Sequence, residues 1–281
     1  MSELQTLFKR ARQSLPGGVC ASTRLNQALG HPLYVDHAHG AHIVDVDGKS
    51  WLDMSCGHGA ALLGHGHPAI VEALVRSAEL GICSAHDMRY HVEVAETLCQ
   101  MIPCAERIRF TNSGSEATLH ALRLCRAVSG RDNIIRFTGH FHGYHELTYI
   151  GGHVPADRLD DASSYVESPG IPEPMAQFIV ALPYNDLEAV ERALQQRGGD
   201  IGTIILEPVD FNSGGIAPQP GFLEGLRDLS RQYDVILFFD EIQSSFKKST
   251  GGAQADFGVT PDICTIGKSL GGGRGRPGSR S

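Results

Sequence analysis

The segment Val235-Ile236-Leu237-Phe238-Phe239-Asp240-Glu241 decides the fold class. Its first five residues are all apolar, which is typical of a parallel strand covered by helices on both faces. Similar runs alternate with helical periods along most of the chain, and this alternation predicts an α/β fold. The predicted strands span residues 107–110, 133–137, 177–182, 201–206, 235–239 and 262–266, and the predicted helices span 115–128, 186–196 and 221–233.

The first 60 residues show a different pattern. Apolar residues on one face predict a helix that ends at Pro16, and the turn Asp47-Gly48 predicts an antiparallel hairpin. We therefore expect an N-terminal helix and hairpin segment at 1–60 and a large α/β domain at 61–273. An aperiodic stretch within that domain, residues 151–174, predicts a long loop.

Composition narrows the class of protein. The chain has 281 residues, of which 41% are hydrophobic and 20% charged, as in soluble globular proteins. A net charge of −8 argues against nucleic-acid binding, and no apolar run or leader pattern predicts a membrane span or export. Seven cysteines without a CxxC pair predict free thiols in a reducing cytoplasm.

A hydroxyl-rich turn, Thr111-Asn112-Ser113-Gly114-Ser115-Glu116, opens the helix predicted at 115–128. Its hydroxyls, its backbone N–H groups and the helix dipole suit a phosphate. An ordinary N-cap by Ser113, with Glu116 in the first turn, explains the same residues equally well.

Two strand-end residues carry potential chemistry. Asp240 ends a buried strand, where a carboxylate needs either a helix to cap or a cationic partner. Lys268 follows an apolar strand, where desolvation lowers the pKa of an amine and makes it nucleophilic. The four other lysines are expected at the surface: Lys9, Lys49, Lys247 and Lys248.

Two other kinds of site have weaker support. Gly267-Lys268-Ser269 matches the end of a nucleotide-binding P-loop, but Asp262 occupies the position of its first Gly. All 14 histidines precede residue 154, yet none belongs to an HExxH motif and the cysteines are badly spaced for a metal. Polar loop histidines are therefore favoured over a metal site.

The order of phosphate cradle, loop aromatic, strand-end Asp and strand-end Lys resembles the fold-type I pyridoxal-phosphate (PLP) enzymes. Among them it is most similar to class III aminotransferases, in particular the glutamate-1-semialdehyde 2,1-aminomutase-like subfamily. The resemblance extends from the first helix to Gly273. It is carried by LPGGV at 15–19, VDVDG at 44–48, LGHGHP at 63–68, RFTNSGSEA at 109–117, LPYNDLEAV at 182–190, EPV at 207–209, PGFL at 220–223, FDE at 239–241 and GK at 267–268.

The resemblance implies roles for individual residues. Lys268 would hold PLP as an internal aldimine and shuttle a proton, and Asp240 would pair with the pyridinium nitrogen. Ser113, Gly114 and Ser115 would hold the phosphate. Four further residues would contact the cofactor: Phe141 against the ring, Gln243 near the ring hydroxyl, His142 and Glu207.

The resemblance also bears on the substrate, a small amino compound. Arg24 matches the position that binds a substrate carboxylate, a task that suits a guanidinium. His58 replaces a Trp expected in the pocket, residues 211–214 replace a Gly-Asn-Met-Gly motif, and Ile242-Gln243 replaces a Val-Met pair. Transamination of another amine is therefore as plausible as aminomutation.

The end of the chain departs from the family. Residues 274–281 contain no large apolar side chain, whereas the family continues with a strand and a C-terminal small domain. We therefore expect a truncated chain with an atypical tail, whose full-length form would be a homodimer. Two hypotheses remain, a PLP-dependent enzyme and a non-catalytic remnant of one.

Overall fold

The computed structural model describes residues 2–81 and 85–272, which fall into two compact units. One unit lies within residues 1–82 and 271–281, and the other within residues 83–270. The domain boundary at residue 60 stays a prediction, and the tail at 274–281 lies outside the described residues.

The first unit begins with a well-capped helix. The Ser2 hydroxyl accepts the N–H of Gln5 at 3.2 Å, and the Gln5 side chain accepts the N–H of Ser2 at 3.3 Å, which forms a capping box. The predicted hairpin is confirmed as part of a three-stranded antiparallel sheet, β3-β4-β5. The elements are α1 Glu3–Ser14, β1 Leu25–Asn26, β2 His31–Pro32, β3 Val35–His39, β4 His42–Asp45, β5 Ser50–Leu52, α2 Cys56–Gly59 and α3 Pro68–Glu79.

The second unit confirms the predicted α/β fold. Its five strands are all parallel and lie in the order β10-β9-β8-β6-β7. Its elements are α4 Arg89–Met101, α5 Gly114–Ser129, β6 Asn133–Phe137, β7 Ile179–Leu182, α6 Leu187–Arg197, β8 Ile201–Leu206, α7 Phe222–Gln232, β9 Ile236–Glu241, α8 Gly252–Phe257 and β10 Ile263–Ile266.

Burial on both faces of this sheet explains the uninterrupted apolar run in β9. Leu237 and Phe239 belong to a core cluster that includes residues of α6 and α7, whereas Phe238 belongs to a second cluster that includes residues of α5. Successive side chains point to opposite faces of a strand, so a strand between two helical layers needs apolar residues at every position.

The strand predicted at 107–110 is wrong, because these residues form no regular structure. A strand needs the backbone of a neighbour, and within the described residues β10 is the edge of the sheet. Among the described residues β10 pairs only with β9, and residues 104–108 and β10 line a common cavity of about 850 Å³.

The stretch 151–174, predicted as a long loop, contains no α-helix, and its β-structure is limited to an isolated bridge at Val166. Short 3-10 segments lie at Ala156–Ser164 and from Glu173 onward. The guanidinium of fully buried Arg136 donates at 3.0 Å to the carbonyl of Ile150, which directly precedes this stretch. It also donates at 2.5 Å to the carbonyl of His140. Among the described helices, none is long and apolar enough to cross a membrane.

Candidate cofactor and catalytic site

The carboxyl ends of four neighbouring strands bring the candidate residues of the second unit together. Glu207 follows β8, Asp240 lies near the end of β9, and Lys268 follows β10 by two residues. The loop after β6 contributes Phe141 and His142. Ligands of open parallel sheets bind at this edge, so the parallel topology places these groups where chemistry is expected.

Asp240 is buried and accepts three hydrogen bonds. His142 Nδ1 lies 2.9 Å from Oδ2, and the hydroxyl of Thr265 donates to Oδ1 at 2.9 Å. The backbone N–H of Ile242 donates to the same oxygen at 3.2 Å. Thr265 is the register partner of Asp240, so the pairing of β9 with β10 positions this donor. The carboxylate is therefore fixed in orientation.

His140 and His142 lie in the loop after β6, as expected, but both are buried. Burial lowers the pKa of each ring, and it places that of His140 well below the ordinary value, so both are neutral at pH 7. His140 Nδ1 accepts the N–H of Glu207 at 3.0 Å, which assigns its proton to Nε2. His142 faces a carboxylate with Nδ1, which assigns its proton there and leaves a lone pair on Nε2.

Glu207 joins the β8 end to two loops. Its Oε1 accepts the N–H of Phe141 at 2.8 Å and the side-chain amide of Asn212 at 2.7 Å. Burial first, and then the nearby charge of Asp240, raise the pKa of Glu207 to about 8. At neutral pH the carboxyl group is therefore mostly protonated.

Lys268 is partly buried and has a left-handed backbone with φ of 43°. Its amine contacts the side-chain oxygen of Gln243. Desolvation lowers the pKa of Lys268. The carboxyl groups of Glu207 and Asp240 oppose this shift when they are ionised, and the charge of Lys247 adds to it. The expectation that Lys247 lies at the surface is wrong: it is partly buried and donates to the Ser269 hydroxyl at 2.8 Å.

The start of α5 confirms the N-cap interpretation of residues 111–116, and the phosphate site stays a prediction. Ser113 is the N-cap, and its hydroxyl accepts the N–H of Glu116 at 3.2 Å. An accepting hydroxyl keeps its own O–H for another acceptor, so capping leaves Ser113 able to bind an anion. Ser115 Oγ accepts the N–H of Tyr144 at 3.1 Å, which joins this turn to the loop after β6.

Gly143 permits that close approach. Its φ of +106° favours glycine, and a Cβ there would lie 2.8 Å from Ser115 Cα, a backbone atom that cannot move aside cheaply. Gly114, at the first position of α5, lies close to Ile242 after β9, since a Cβ would meet its Cδ1 at 2.8 Å. The nine cofactor-contacting residues predicted from the sequence therefore all lie in or beside this group of loops.

The two predicted substrate residues belong to the first unit. Arg24 is exposed, and its guanidinium donates to Cys20 Sγ at 2.9 Å. His58 is exposed with a φ of 55°, and its N–H donates to the Ser55 hydroxyl at 3.2 Å. Their roles toward a substrate stay predictions.

Sequence reasoning missed three residues of this site. Thr265 could have been found by pairing the ends of β9 and β10 in parallel register, which sets it beside Asp240. Asn212 lies in a segment noted only as a departure from the family, and its contact with Glu207 has no local signal. His140 has no local signal that marks it, and its burial and its hydrogen bond with the N–H of Glu207 appear only in the folded chain.

Comparison with known proteins identifies the family. The model of the family "Aminotransferase class-III" matches residues 25–279. A glutamate-1-semialdehyde 2,1-aminomutase from Syntrophomonas wolfei is 41% identical over 270 residues, which cover 95% of this chain and 61% of that protein. An omega-transaminase from Sphaerobacter thermophilus superposes with a TM-score of 0.87 at 33% identity, covering 95% of this chain and 61% of the other.

A further similar structure is that of a PLP-bound protein. The PLP internal aldimine form of the FumI protein from Sphingopyxis sp. MTA144 superposes with a TM-score of 0.81 at 26% identity, over 94% of this chain and 61% of that one. The chain thus belongs to the class-III aminotransferase family and has the fold of fold-type I PLP transferases. It spans about three fifths of the length of these relatives.

Proposed function

We propose that this chain carries the PLP-binding and catalytic groups of an aminotransferase or aminomutase that acts on small amino compounds. The observation that supports this most is the setting of Lys268. Its amine, with a lowered pKa, follows β10, whose Thr265 fixes the carboxylate of Asp240. An amine of this kind is a competent nucleophile, and a fixed carboxylate is a competent counter-ion.

The residues present fit PLP by their hydrogen-bonding capacity. Glu207 Oε2 and His142 Nε2 are buried and have no hydrogen-bond partner among the described residues. Buried polar atoms are seldom left without hydrogen-bond partners. Two such atoms at the carboxyl edge of the sheet therefore support the binding of a polar ligand there. The start of α5 supplies donors for a phosphate, and the partly buried Phe141 ring supplies an apolar face.

Each residue then has a physical task. Ser113, Gly114 and Ser115 would bind the phosphate, and Asp240 would hold a proton on the pyridine nitrogen. When bound, PLP supplies an electron sink that stabilises negative charge on the substrate carbon. Lys268 Nζ would attach the cofactor and then carry the proton between carbon atoms, which its lowered pKa favours near neutral pH.

The substrate and the assembly are proposed from the resemblance and from the aminomutase relative. Arg24 would bind a substrate carboxylate, and His58 would border the same group in place of a Trp. Aminomutation and transamination between two molecules use the same cofactor groups, so both activities are proposed as alternatives. The assembly is proposed to be a homodimer.

Addition of PLP to the purified chain tests the proposal. We expect a visible absorption band from a Schiff base. Borohydride reduction should then attach PLP irreversibly to Lys268, as a covalent label that peptide mapping detects. Lys268→Arg should lose both the band and the label, whereas Lys248→Arg, which changes an exposed lysine, should keep them. A label found mainly on Lys247 or Lys248 would refute the assignment. An amine-transfer assay with amino-acid and amine donors then separates turnover from cofactor binding alone.

A further inference from the structure

Two thiols meet beside the sheet edge, outside the groups assigned to the cofactor. Cys104 follows α4, and Cys264 lies on β10, yet both side chains line one cavity and each thiol shifts the pKa of the other. They are separated by about 160 residues of sequence, so no local pattern indicates the interaction. Neither is disulfide-bonded in this structure.

The position of Cys104 is fixed by hydrogen bonds. Its backbone N–H donates to Gln254 Oε1 at 2.8 Å, and Gln254 Nε2 donates to Glu241 Oε1 at 2.8 Å. Gln254 and Glu241 are both buried, so this chain of contacts is shielded from water. Cys264 is fixed by the pairing of β10 with β9, where it is the register partner of Phe239.

Small molecules can reach the pair. Both cysteines line the cavity of about 850 Å³ beside β10, so a reagent as small as hydrogen peroxide has room to enter. Cys125 lines the same cavity from α5. It serves as the control, because it lines the same cavity but is more deeply buried than Cys104 and Cys264.

The two thiols differ in acidity. The hydrogen bond from Cys264 lowers the pKa of Cys104, which makes Cys104 the better source of thiolate. The same contact, with burial, raises the pKa of Cys264 well above its ordinary value. Burial raises the pKa of Cys125 to about 12, so this thiol stays protonated.

We propose that Cys104 and Cys264 form a dithiol site that hydroperoxides oxidise to a reversible disulfide. The Cys104 thiolate attacks the peroxide, the O–O bond breaks, and a sulfenic acid and one water form from hydrogen peroxide. The Cys264 sulfur then attacks the Cys104 sulfur, the S–O bond breaks, and a second water leaves. Two thiols are oxidised and one peroxide is reduced, and a dithiol reductant reverses the change.

The site borders the proposed catalytic groups without containing them. Cys264 directly precedes Thr265, the donor to Asp240, and Cys104 is joined through Gln254 to Glu241, the residue after Asp240. Its test requires neither PLP nor turnover, so its outcome is independent of the proposed function.

The experiment treats the purified chain with hydrogen peroxide and maps the peptides by mass spectrometry. We expect one linked pair of peptides, containing Cys104 and Cys264, with a mass lower by two hydrogen atoms and restored by dithiothreitol. Cys125→Ser should form the same link. Cys104→Ser and Cys264→Ser should both lose it.

Trapping with dimedone separates the roles of the two thiols. In Cys264→Ser we expect a sulfenic acid that accumulates on Cys104, because the resolving thiol is gone. In Cys104→Ser no sulfenic acid should form on Cys264. Oxidation of the exposed Cys20 and Cys56 alone in the wild-type chain, with Cys104 and Cys264 still free, would overturn the proposal. This outcome is read on the wild-type chain and does not depend on the folding of any variant.

Discussion

His142 Nδ1 lies 2.9 Å from Asp240 Oδ2, and both side chains are buried although 98 positions of sequence separate them. The contact joins the loop after β6 to the end of β9. Because burial holds the imidazole neutral, its Nδ1–H donates to the carboxylate without adding a charge. The carboxylate of Asp240 is thus held in one orientation, and its negative charge is available to pair with a cation.

His142→Ala is expected to destabilise the chain. The substitution removes one donor from a buried carboxylate, which costs about 1–3 kcal/mol of the free energy of unfolding. Urea unfolding of the cofactor-free chain measures it. His120→Ala is the matched control, since His120 is exposed on α5, and it should change the free energy little. Equal stability of the two variants would show that Asp240 does not depend on His142.

Asp240→Asn should separate charge from shape. The amide keeps the volume and can still accept from Thr265, so we expect PLP to remain bound. The rate of amine transfer should fall by several powers of ten, which corresponds to roughly 4 kcal/mol or more of activation free energy. Rates measured in a form of the protein that turns over decide it, with Asp234→Asn, at an exposed position just after α7, as the control. Near-normal turnover would mean that Asp240 is not the counter-ion.

Glu207→Gln should change how stability depends on pH. The folded pKa of Glu207 is about 8 against an ordinary value of 4.5, so between these values the folded chain binds more protons than the unfolded chain. Its free energy of unfolding therefore falls as pH rises through this window, by at most about 5 kcal/mol from this group.

The amide introduced by Glu207→Gln does not titrate. The free energy of unfolding of the variant should therefore lack the decrease with pH that Glu207 causes in the wild type. We expect the variant to gain stability over the wild type progressively from pH 5 to 8 and by a constant amount above pH 8. Thermal or urea unfolding of both cofactor-free proteins at several pH values measures the difference. A difference independent of pH would contradict the raised pKa.

Lys247→Gln should make Lys268 less reactive. Removing the positive charge of Lys247 raises the pKa of Lys268, so less of its amine is neutral at a given pH. The pH midpoint for labelling of Lys268 by an amine-reactive reagent should therefore move upward. Lys248→Gln, at an exposed neighbour, should leave it in place. Peptide mapping of the labelled cofactor-free chain reports each lysine separately.

The sequence by itself determined the local features of this protein. Apolar runs without alternation, such as the one in β9, predicted a parallel sheet because only burial on both faces accounts for them. Polar residues directly after those runs predicted the site, because parallel strands place their carboxyl ends at one edge. Asp240 and Lys268 were selected in this way, whereas Glu207 was predicted from the family resemblance.

The tertiary structure decided what depends on distant partners. Residues 107–110 have the composition of a strand, but within residues 2–81 and 85–272 they pair with no other strand. A strand forms only when a second backbone pairs with it. The burial of His142, the effect of Lys247 on the amine of Lys268 and the interaction of Cys104 with Cys264 all join separate segments. Hydrophobic periodicity indicates which face of its own helix or strand a residue occupies. The pKa and reactivity of a side chain depend on which other elements pack against it. Only the folded chain specifies these.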